Sequence, residues 1–422
     1  MSLTAFLRTR YGRAPRSRAE ITALQDRAFA RFRSRIMPQS PFYRSHVDTA
    51  LSALPQMNKA RLMENFSSIN TCGIDRDRAF DVALQAERSR DFSPMIGQVA
   101  VGLSTGTSGQ RGLFLTTPKE RRLWAAIMSG RFWPNLCQPQ RVAFFMRADN
   151  ALYRSLGNPM LRFEFFDLMQ GVEAHLPALT SLAPTVLIAP ASVLTALACA
   201  QDAGALALAP QRVISIAEVL SSEDRDAVAR AFNCKVDEVY QATEGVLAFT
   251  CHEGHLHLNE TWLRIDRDVI DPKSGAFCPV IYDFTRESLP LLNYRLDDVL
   301  IPDDTPCPCG SACTRIARIE GREDDALWWS GPSGARMVPA ETIRTVIARL
   351  QTPVKDYRVV QEANHLTIWL QHAAPECEVE LRGALAALAA QLDVALPSLS
   401  IQSGLPQEND PKRRRIKVLS RP

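Results

Sequence analysis

Ten consecutive residues, Leu103-Ser104-Thr105-Gly106-Thr107-Ser108-Gly109-Gln110-Arg111-Gly112, place four hydroxyl side chains and three glycines directly after the apolar Val99-Ala100-Val101. Glycine lets a backbone turn tightly and bring its N–H groups up to an anion, and hydroxyls add donors at little volume. The combination suits a polyanion such as a nucleotide triphosphate. No Gly-Lys-Ser or Gly-Lys-Thr follows, so the loop is not that of a P-loop NTPase. The same composition also describes a plain polar turn after a strand.

Further chemistry lies downstream. Val239-Tyr240-Gln241-Ala242-Thr243-Glu244-Gly245 puts a hydroxyl and an acid at the end of a predicted strand. Open α/β sheets bind ligands outside the carboxyl ends of their strands, although a solvated surface glutamate reads the same way. In Asn293-Tyr294-Arg295-Leu296-Asp297-Asp298-Val299 the carboxylates suit a ribose diol as hydrogen-bond acceptors. Ile319-Glu320-Gly321-Arg322-Glu323-Asp324-Asp325 falls where the character of the chain changes. The run Lys412-Arg413-Arg414-Arg415-Ile416-Lys417 follows Asn409-Asp410-Pro411. By composition that run reads as a solvated face or a nucleic-acid patch. Two clusters carry metal-ligand chemistry: Cys251-His252-Glu253-Gly254-His255-Leu256-His257 and Cys307-Pro308-Cys309-Gly310-Ser311-Ala312-Cys313. Thiolates with one imidazole suit a closed tetrahedral zinc site. The spacing is not the usual Cys-x-x-Cys pair, and reduced cysteines in a loop remain the alternative.

The bulk properties limit the classes available. A chain of 422 residues divides into two or three domains with ample core. Hydrophobic content of 46% and charged content of 23% are those of a globular protein. A net charge of +3 gives no global attraction to nucleic acid or membrane. Met1-Ser2-Leu3-Thr4 runs into Arg-rich sequence rather than an apolar signal core, and ten cysteines without a signal read as free thiols or ligands. The expectation is a cytoplasmic protein with neither a membrane nor a nucleic acid as partner. The apolar tract from Leu182 to Pro210, broken by Pro184, Pro190 and Asp202, reads as a strand and a helix rather than a span.

The elements that would carry these residues follow from periodicity. Residues 1–90 read as a helical lead-in, with Ser17-Arg18-Ala19-Glu20 as a capping box before Ile21, Leu24, Ala28 and Phe32 at helical spacing. Val142–Phe145, Val186–Ala189, Val213–Ile216 and Val236–Tyr240 read as buried strands, alternating with helices at Ser192–Ala203 and Ser222–Phe232. That rhythm predicts mostly parallel, covered sheets in a large α/β domain. Beyond Gly321, a helix at Glu341–Leu350, strands at Tyr357–Gln361 and Leu366–Leu370, a helix at Glu378–Leu392 and a strand at Leu399–Ile401 predict a small α+β domain.

Taken in order, these segments resemble the adenylate-forming superfamily, which includes acyl-CoA synthetases, luciferases and peptide-synthetase adenylation domains. The likeness is nearest to its phenylacetate-CoA ligase-like branch, which includes the deazaflavin-adenylylating synthetases. Ser40-Pro41-Phe42-Tyr43-Arg44 and Leu54-Pro55 with Lys59 resemble the helical N-terminus of that branch, so the likeness spans nearly the whole chain. One departure stands out: Gln110-Arg111 occupies the place of the usual Lys-Pro of the family loop.

The resemblance implies a large domain over 1–323 and a small mobile C-terminal domain over 324–422, turning about Asp324. It implies that Ser104, Thr105, Gly106, Thr107, Ser108 and Gly109 hold the β- and γ-phosphates of ATP, with Arg111 offering charge to them. Glu244 would bind Mg²⁺, with Thr243 near the α-phosphate. Ala217, Glu218, Tyr240, Gln241 and Ala242 would border the adenine, and Asp298 and Arg322 the ribose. Lys412 would be the catalytic lysine, with Lys417 as the competing choice. Some members of the branch carry zinc at similar positions; by that likeness its ligands here are Cys251, His257, Cys307 and Cys309, with Cys313 or His255 as substitutes.

The implied reaction joins a carboxylic acid, small and aromatic by the branch likeness, to AMP with loss of pyrophosphate. A thiol, CoA or a carrier-protein phosphopantetheine, then takes the acyl group from the adenylate. Phe144, Phe145, Met146 and Phe163–Phe166 are candidates for the acid pocket, or simply core. The implied protein is a monomer or homodimer. The alternatives are an adenylyltransferase that leaves AMP on its substrate and a non-catalytic nucleotide- or nucleic-acid-binding protein using the basic run. The near-neutral charge argues against the last.

Overall fold

The computed structural model describes all residues except 1, 105–110, 158, 324–325, 333, 353, 372–375 and 407–414, and the side chain at 341. The chain forms two compact units. The first comprises Met1–Asp266, Val280–Arg295 and Asp303–Ala317, and the second Arg267–Pro279, Leu296–Pro302 and Arg318–Pro422. Among the described residues no helix is long and apolar enough to cross a membrane.

The first unit opens with the expected helical lead-in: α1 (Leu3–Tyr11), α2 (Arg18–Arg35), α3 (Lys59–Glu64), α4 (Phe66–Ile69) and α5 (Arg76–Ser89). Ser17 caps α2 by accepting the N–H of Glu20, but the carboxylate of Glu20 accepts from Arg16, one residue before the partner a capping box requires. The lead-in is tied to the body by polar contacts. Arg18 makes a bidentate pair with Glu260 at 2.8 and 2.7 Å, and Ala312 N–H donates to Pro15 O at 2.8 Å. Met57 bridges in parallel to Tyr294.

A three-stranded antiparallel sheet follows, β1 (Met95–Ile96), β2 (Val99–Leu103) and β3 (Leu113–Thr116). Then come α6 (Pro118–Phe132), β4 (Gln140–Met146), α7 (Ala151–Arg154), β5 (Leu161–Asp167), α8 (Leu176–Leu182), β6 (Val186–Ala189), α9 (Ala191–Asp202), β7 (Arg212–Ile216), α10 (Ser222–Phe232), β8 (Val236–Ala242), β9 (Gly245–Thr250) and β10 (Leu256–Leu258). The strands pair in the order β5-β4-β6-β7-β8-β9-β10. From β5 to β8 every pairing is parallel, as the alternating pattern predicts. β6 is buried at all four positions because both faces are covered. One core cluster joins α8, α9 and α10 to the sheet through Leu179, Leu194 and Val228; another joins α6 through Ala125, Met128 and Phe132. α6 starts on a complete capping box, Thr117 with Glu120, with Pro118 at its first position. After the Thr243-Glu244 turn the chain reverses, and β8-β9-β10 is antiparallel.

β11 (Leu263–Asp271), β12 (Ala276–Asp283), β13 (Leu291–Arg295), β14 (Asp298–Asp303) and β15 (Arg315–Arg322) complete the strands before the C-terminal region. Within the first unit Ile281 of β12 faces Tyr294 of β13, and His257 of β10 faces Arg315 of β15.

In the second unit, β16 (Leu327–Gly331) and β17 (Gly334–Val338) form a hairpin, followed by α11 (Ala340–Ala348), β18 (Asp356–Glu362), β19 (His365–Gln371), α12 (Glu376–Leu392), β20 (Ser398–Ser403) and β21 (Ile416–Ser420). Its four-stranded sheet runs β20-β19-β18-β21, with α11 and α12 packed on it through Ile343, Leu381 and Leu385. The α-β-β-α-β order expected here is present. The β16–β17 hairpin and β21 are additions, and Trp329, Val338 and Ile416 bring them into the same core.

Candidate functional site

The described ends of the glycine-rich segment form a closed neck. Ser104 is buried; its N–H donates to Gly112 O and its Oγ accepts from Gly112 N–H, both at 2.7 Å. Thr105, Gly106, Thr107, Ser108, Gly109 and Gln110 lie outside the described residues. Arg111 is turned to α5, where it pairs with Glu87, and its Nε donates to Ser104 O at 3.4 Å. Its charge is therefore matched within the protein.

The Thr243-Glu244 turn joins β8 to β9, with Ala242 facing Gly245. It stands at the carboxyl end of the last parallel strand, where an open α/β sheet binds ligands. Three side chains from the β12–β13 region hold it. Tyr294 Oη donates to Glu244 Oε1 at 2.9 Å, and Arg286 Nη1 donates to Thr243 O at 2.9 Å. The carboxylate of Asp283 lies so near Gly245 (φ 152°) that a Cβ there would meet Oδ2 at 3.3 Å. Burial raises the Asp283 carboxyl above its ordinary range, and the Thr285 hydroxyl and Arg286 charge pull the other way. The pairing shifts register between Tyr240 and Gln241, so an irregularity re-aims the strand just before the turn.

Ala217 and Glu218 leave the end of the neighbouring β7. Ala217 is left-handed (φ 62°), and the Glu218 carboxylate accepts the Ser192 N–H at 2.8 Å at the start of α9. In the second unit, Asp298 opens β14 and Arg322 closes β15. Arg322 Nη2 pairs with Asp297 Oδ2 at 2.9 Å, and the Glu323 N–H donates to Asp297 O at 2.7 Å. Asp324 and Lys412 lie outside the described residues. Arg415, at the end of the basic run, pairs with Asp356 at 2.9 Å and lies over the Tyr357 ring, while Lys417 is exposed on β21.

Strand alternation divides the aromatic pocket candidates. Phe145 and Phe166 point to the α8–α9 side, stacked at 4.8 Å against each other and edge-on to His175. Those two are core. Phe144, Phe163 and Phe165 share the opposite face with Trp124 and Tyr153; Phe144 lies 4.6 Å from Tyr153 and 5.4 Å from Phe163.

The two Cys/His segments converge. The ligand atoms of Cys251, His257, Cys307 and Cys309 all lie within 4.8 Å of one another. Cys251 Sγ is 3.8 Å from Cys307 Sγ, and Cys309 Sγ is 3.6 Å from His257 Nε2. Zinc bonds of about 2.3 Å to sulfur and about 2.0 Å to nitrogen, at tetrahedral angles, put ligand atoms about 3.8 Å (S···S) and about 3.6 Å (S···N) apart. The donor set and its spacing therefore fit that ion. His257 Nδ1 lies 2.9 Å from Cys313 O, which fixes the tautomer that leaves Nε2 free. Burial lowers the His257 pKa and so keeps the imidazole neutral, as a ligand must be. Burial and the neighbouring thiols push the Cys309 thiol up to about 12, a cost that a cation among the sulfurs would reverse. Of the substitutes, His255 Nδ1 lies 3.3 Å from Cys307 Sγ, and Cys313 contributes its carbonyl.

No protein-family model matches the chain. Over 127 residues it is 29% identical to Protein CapK of Staphylococcus aureus; the match spans 29% of this chain and only 27% of that protein. Among solved structures it is similar to an open conformation of 2-hydroxyisobutyryl-CoA ligase in complex with 2-HIB-AMP and CoA. The TM-score is 0.61 at 14% identity, covering 95% of this chain and 91% of that one. It is also similar to an anthranilate CoA ligase in complex with anthranoyl-AMP, with a TM-score of 0.50 at 12% identity over 75% of this chain and 66% of that one. The chain has the fold of the adenylate-forming ligases.

Proposed function

We propose that this protein is an ATP-dependent ligase that activates a carboxylic acid as its acyl-adenylate and passes the acyl group to a thiol, CoA or a carrier-protein phosphopantetheine. The observation that carries the reading is the Thr243-Glu244 turn, at the carboxyl end of the last parallel strand and held by Tyr294 and Arg286, in a chain with this fold. Its resemblance to the phenylacetate-CoA ligase-like branch adds the small aromatic acid.

In this reading the 104–109 loop steadies the pyrophosphate portion of ATP, and Ala217, Glu218 and Tyr240–Ala242 border the adenine. Asp298 takes the ribose hydroxyls, with Arg322 beside it through Asp297. Glu244 binds Mg²⁺ and Thr243 faces the α-phosphate. The acid attacks as its ionised carboxylate, so no general base is required. What the attack needs is positive charge where like charges meet: bound Mg²⁺ supplies part of it, and Lys412 of the C-terminal domain (324–422, hinged at Asp324) the rest. The Cys251, His257, Cys307 and Cys309 quartet holds a structural zinc that pins two loops. The protein works in the cytoplasm as a monomer or homodimer.

Incubation with Mg-ATP and a panel of aryl and alkyl acids should release pyrophosphate only when the right acid is present, and AMP once thiol is added. Absence of acid-dependent pyrophosphate across the panel would sink the reading. AMP retained on the product after thiol addition would identify an adenylyltransferase instead.

Tyr294→Phe tests the turn. The hydroxyl's bond to a charged carboxylate contributes about 1.5 kcal/mol, about tenfold in an equilibrium constant. The expected result is a roughly tenfold rise in the Mg²⁺ concentration needed for half-maximal rate, with kcat at saturating Mg²⁺ little changed. An unchanged Mg²⁺ dependence would show that Glu244 does not depend on Tyr294.

A further inference from the structure

The net charge of +3, from which no membrane partner is expected, hides an asymmetry along the chain. Residues 3–35, which hold α1 and α2, carry nine arginines against two acids, Glu20 and Asp26. Both acids are engaged: Glu20 pairs with Arg13 at 3.7 Å, and the charge of Asp26 acts on Arg264. Arg27, Arg31 and Arg35 stand four residues apart on α2 and so share one flank of the helix, and all three are exposed. Among the described residues none of these three guanidinium groups has a carboxylate partner.

α1 supplies an apolar counterpart. It packs on α6 through Ala5 and Phe6, which share a cluster with Ala126. Leu3, Leu7 and Tyr11 recur at the same four-residue spacing on its other side and are 65%, 44% and 66% exposed. Ten large hydrophobic side chains are exposed among the described residues, and three of them lie on this one nine-residue helix. Single exposed hydrophobics are ordinary, but a continuous ridge marks a contact surface.

The two stripes are neighbours. Arg8 Nη2 of α1 donates to Thr261 O at 2.9 Å, and its guanidinium lies 4.4 Å from the centre of the Trp262 ring. Gln25 Nε2 of α2 donates to Glu260 O and Leu263 O at 3.1 and 3.0 Å, so both helices seat on the same turn. Burial and the charge of Arg27 lower the Arg8 pKa, which puts the cationic flank of α2 on the α1 side. Leucine and tyrosine on one ridge, beside arginines matched to no acid, are what a helix lying in a membrane interface presents. The aliphatic chains enter the acyl boundary, tyrosine stays at headgroup level and guanidinium pairs with phosphate. The ridge is only about two and a half turns long. That is little for a partner that must hold a helix in a groove, whereas a bilayer adds the attraction of many headgroups.

We propose that the exposed ridge of α1 and the arginine flank of α2 form a docking surface for an anionic phospholipid bilayer, on which the protein rests peripherally. The inference is independent of the ligase reading and gives the helical lead-in a task outside the reaction.

The test is sedimentation of the full-length protein with vesicles of phosphatidylcholine alone and of phosphatidylcholine and phosphatidylglycerol in equal parts, with unfolding midpoints recorded for every variant. The protein should partition onto the anionic vesicles and stay in solution with the neutral ones, and added salt should release it. Arg27→Gln, Arg31→Gln and Arg35→Gln together should weaken binding by about a hundredfold, because each cation near the surface contributes about fivefold. Lysine at the same three positions should preserve binding, since the attraction depends on charge. Leu3→Ser with Leu7→Ser should cost about tenfold or more at an unchanged midpoint, because both side chains are exposed. Equal partition onto neutral and anionic vesicles, or full binding by the glutamine or serine variant, would overturn the proposal. Absence of vesicle binding would overturn it as well, and salt-sensitive retention on polyglutamate would then assign the surface to an acidic protein.

Discussion

Lys412→Ala is expected to slow acyl-adenylate formation by about 10²–10³, the cost of removing one pre-organised donor from a developing charge. ATP binding should stay measurable, because in the proposed reaction the lysine would act as the carboxylate and the α-phosphate approach each other and not before. The choice of Lys412 comes from resemblance and position, since residues 407–414 lie outside the described part of the chain. The residues after it sharpen the choice. Arg415 is committed to Asp356 and to the Tyr357 ring, and Ile416 re-enters the sheet opposite Val359 with only 1% of its surface exposed. Lys417 is held in strand register opposite Val360. Of the cations in the run, Arg415 is therefore already paired, and Lys417 is bound to the geometry of a strand. The discriminating measurement is pyrophosphate release by Lys412→Ala and Lys417→Ala, with thiol transfer from synthetic acyl-AMP as a second readout. Loss in Lys412→Ala with transfer retained fits the assignment. Unchanged turnover in Lys412→Ala and loss in Lys417→Ala would move the role along the chain.

Much of this architecture is legible in local sequence because its signals are local. Four-residue apolar runs such as Val186–Ala189 need cover on both faces, and Thr117-Pro118 with Glu120 starts a helix wherever it packs. The missed elements fail for physical reasons. β21 is hidden because Ile416 and Val418 alternate with Lys417 inside a run whose charge dominates the composition, and its pairing to β18 spans more than fifty residues of chain. In β16–β17 the signal is present, with Trp328-Trp329 and Met337-Val338 paired along a hairpin that ends on the facing Gly331 and Gly334. At the candidate site, the Thr243-Glu244 turn stands out from its neighbours in sequence, but its supports do not. Tyr294 and Arg286 are an ordinary tyrosine and arginine until folding brings each to a partner more than 40 positions away. Arg111 is the converse case. Its position in the loop suggests charge for the phosphates, and only the fold reveals that Glu87 takes it.

Chelation of a bound metal is expected to lower the unfolding midpoint by several degrees, and the effect should trace to four named side chains. Three thiols and an imidazole packed within 4.8 Å have no stable charged state on their own, and burial with mutual repulsion pushes Cys309 up to about 12. Bringing them together is unfavourable unless a cation compensates, and a ligand present at about 100 times its Kd stabilises the fold by about 2.7 kcal/mol. For a domain of about 150–250 residues, about 1 kcal/mol moves the midpoint by about 2–4 °C, which sets the scale of the loss. The loss should be local in origin. Cys251 follows β9, His257 lies in β10, and Cys307 and Cys309 belong to the segment that Ala312 ties to Pro15 of the lead-in. Metal content should be one zinc per chain in the native protein, and should fall in Cys307→Ser, Cys309→Ser and His257→Asn. Cys313→Ser should keep the metal, because that residue contributes its backbone carbonyl to His257. His255→Asn separates the two imidazoles: retention of zinc identifies His257 as the nitrogen ligand, and loss would transfer that role to His255, 3.3 Å from Cys307 Sγ. Native protein that carries no zinc after purification in its presence, with a midpoint indifferent to chelator, would reduce the cluster to four thiol and imidazole groups packed beside a hairpin.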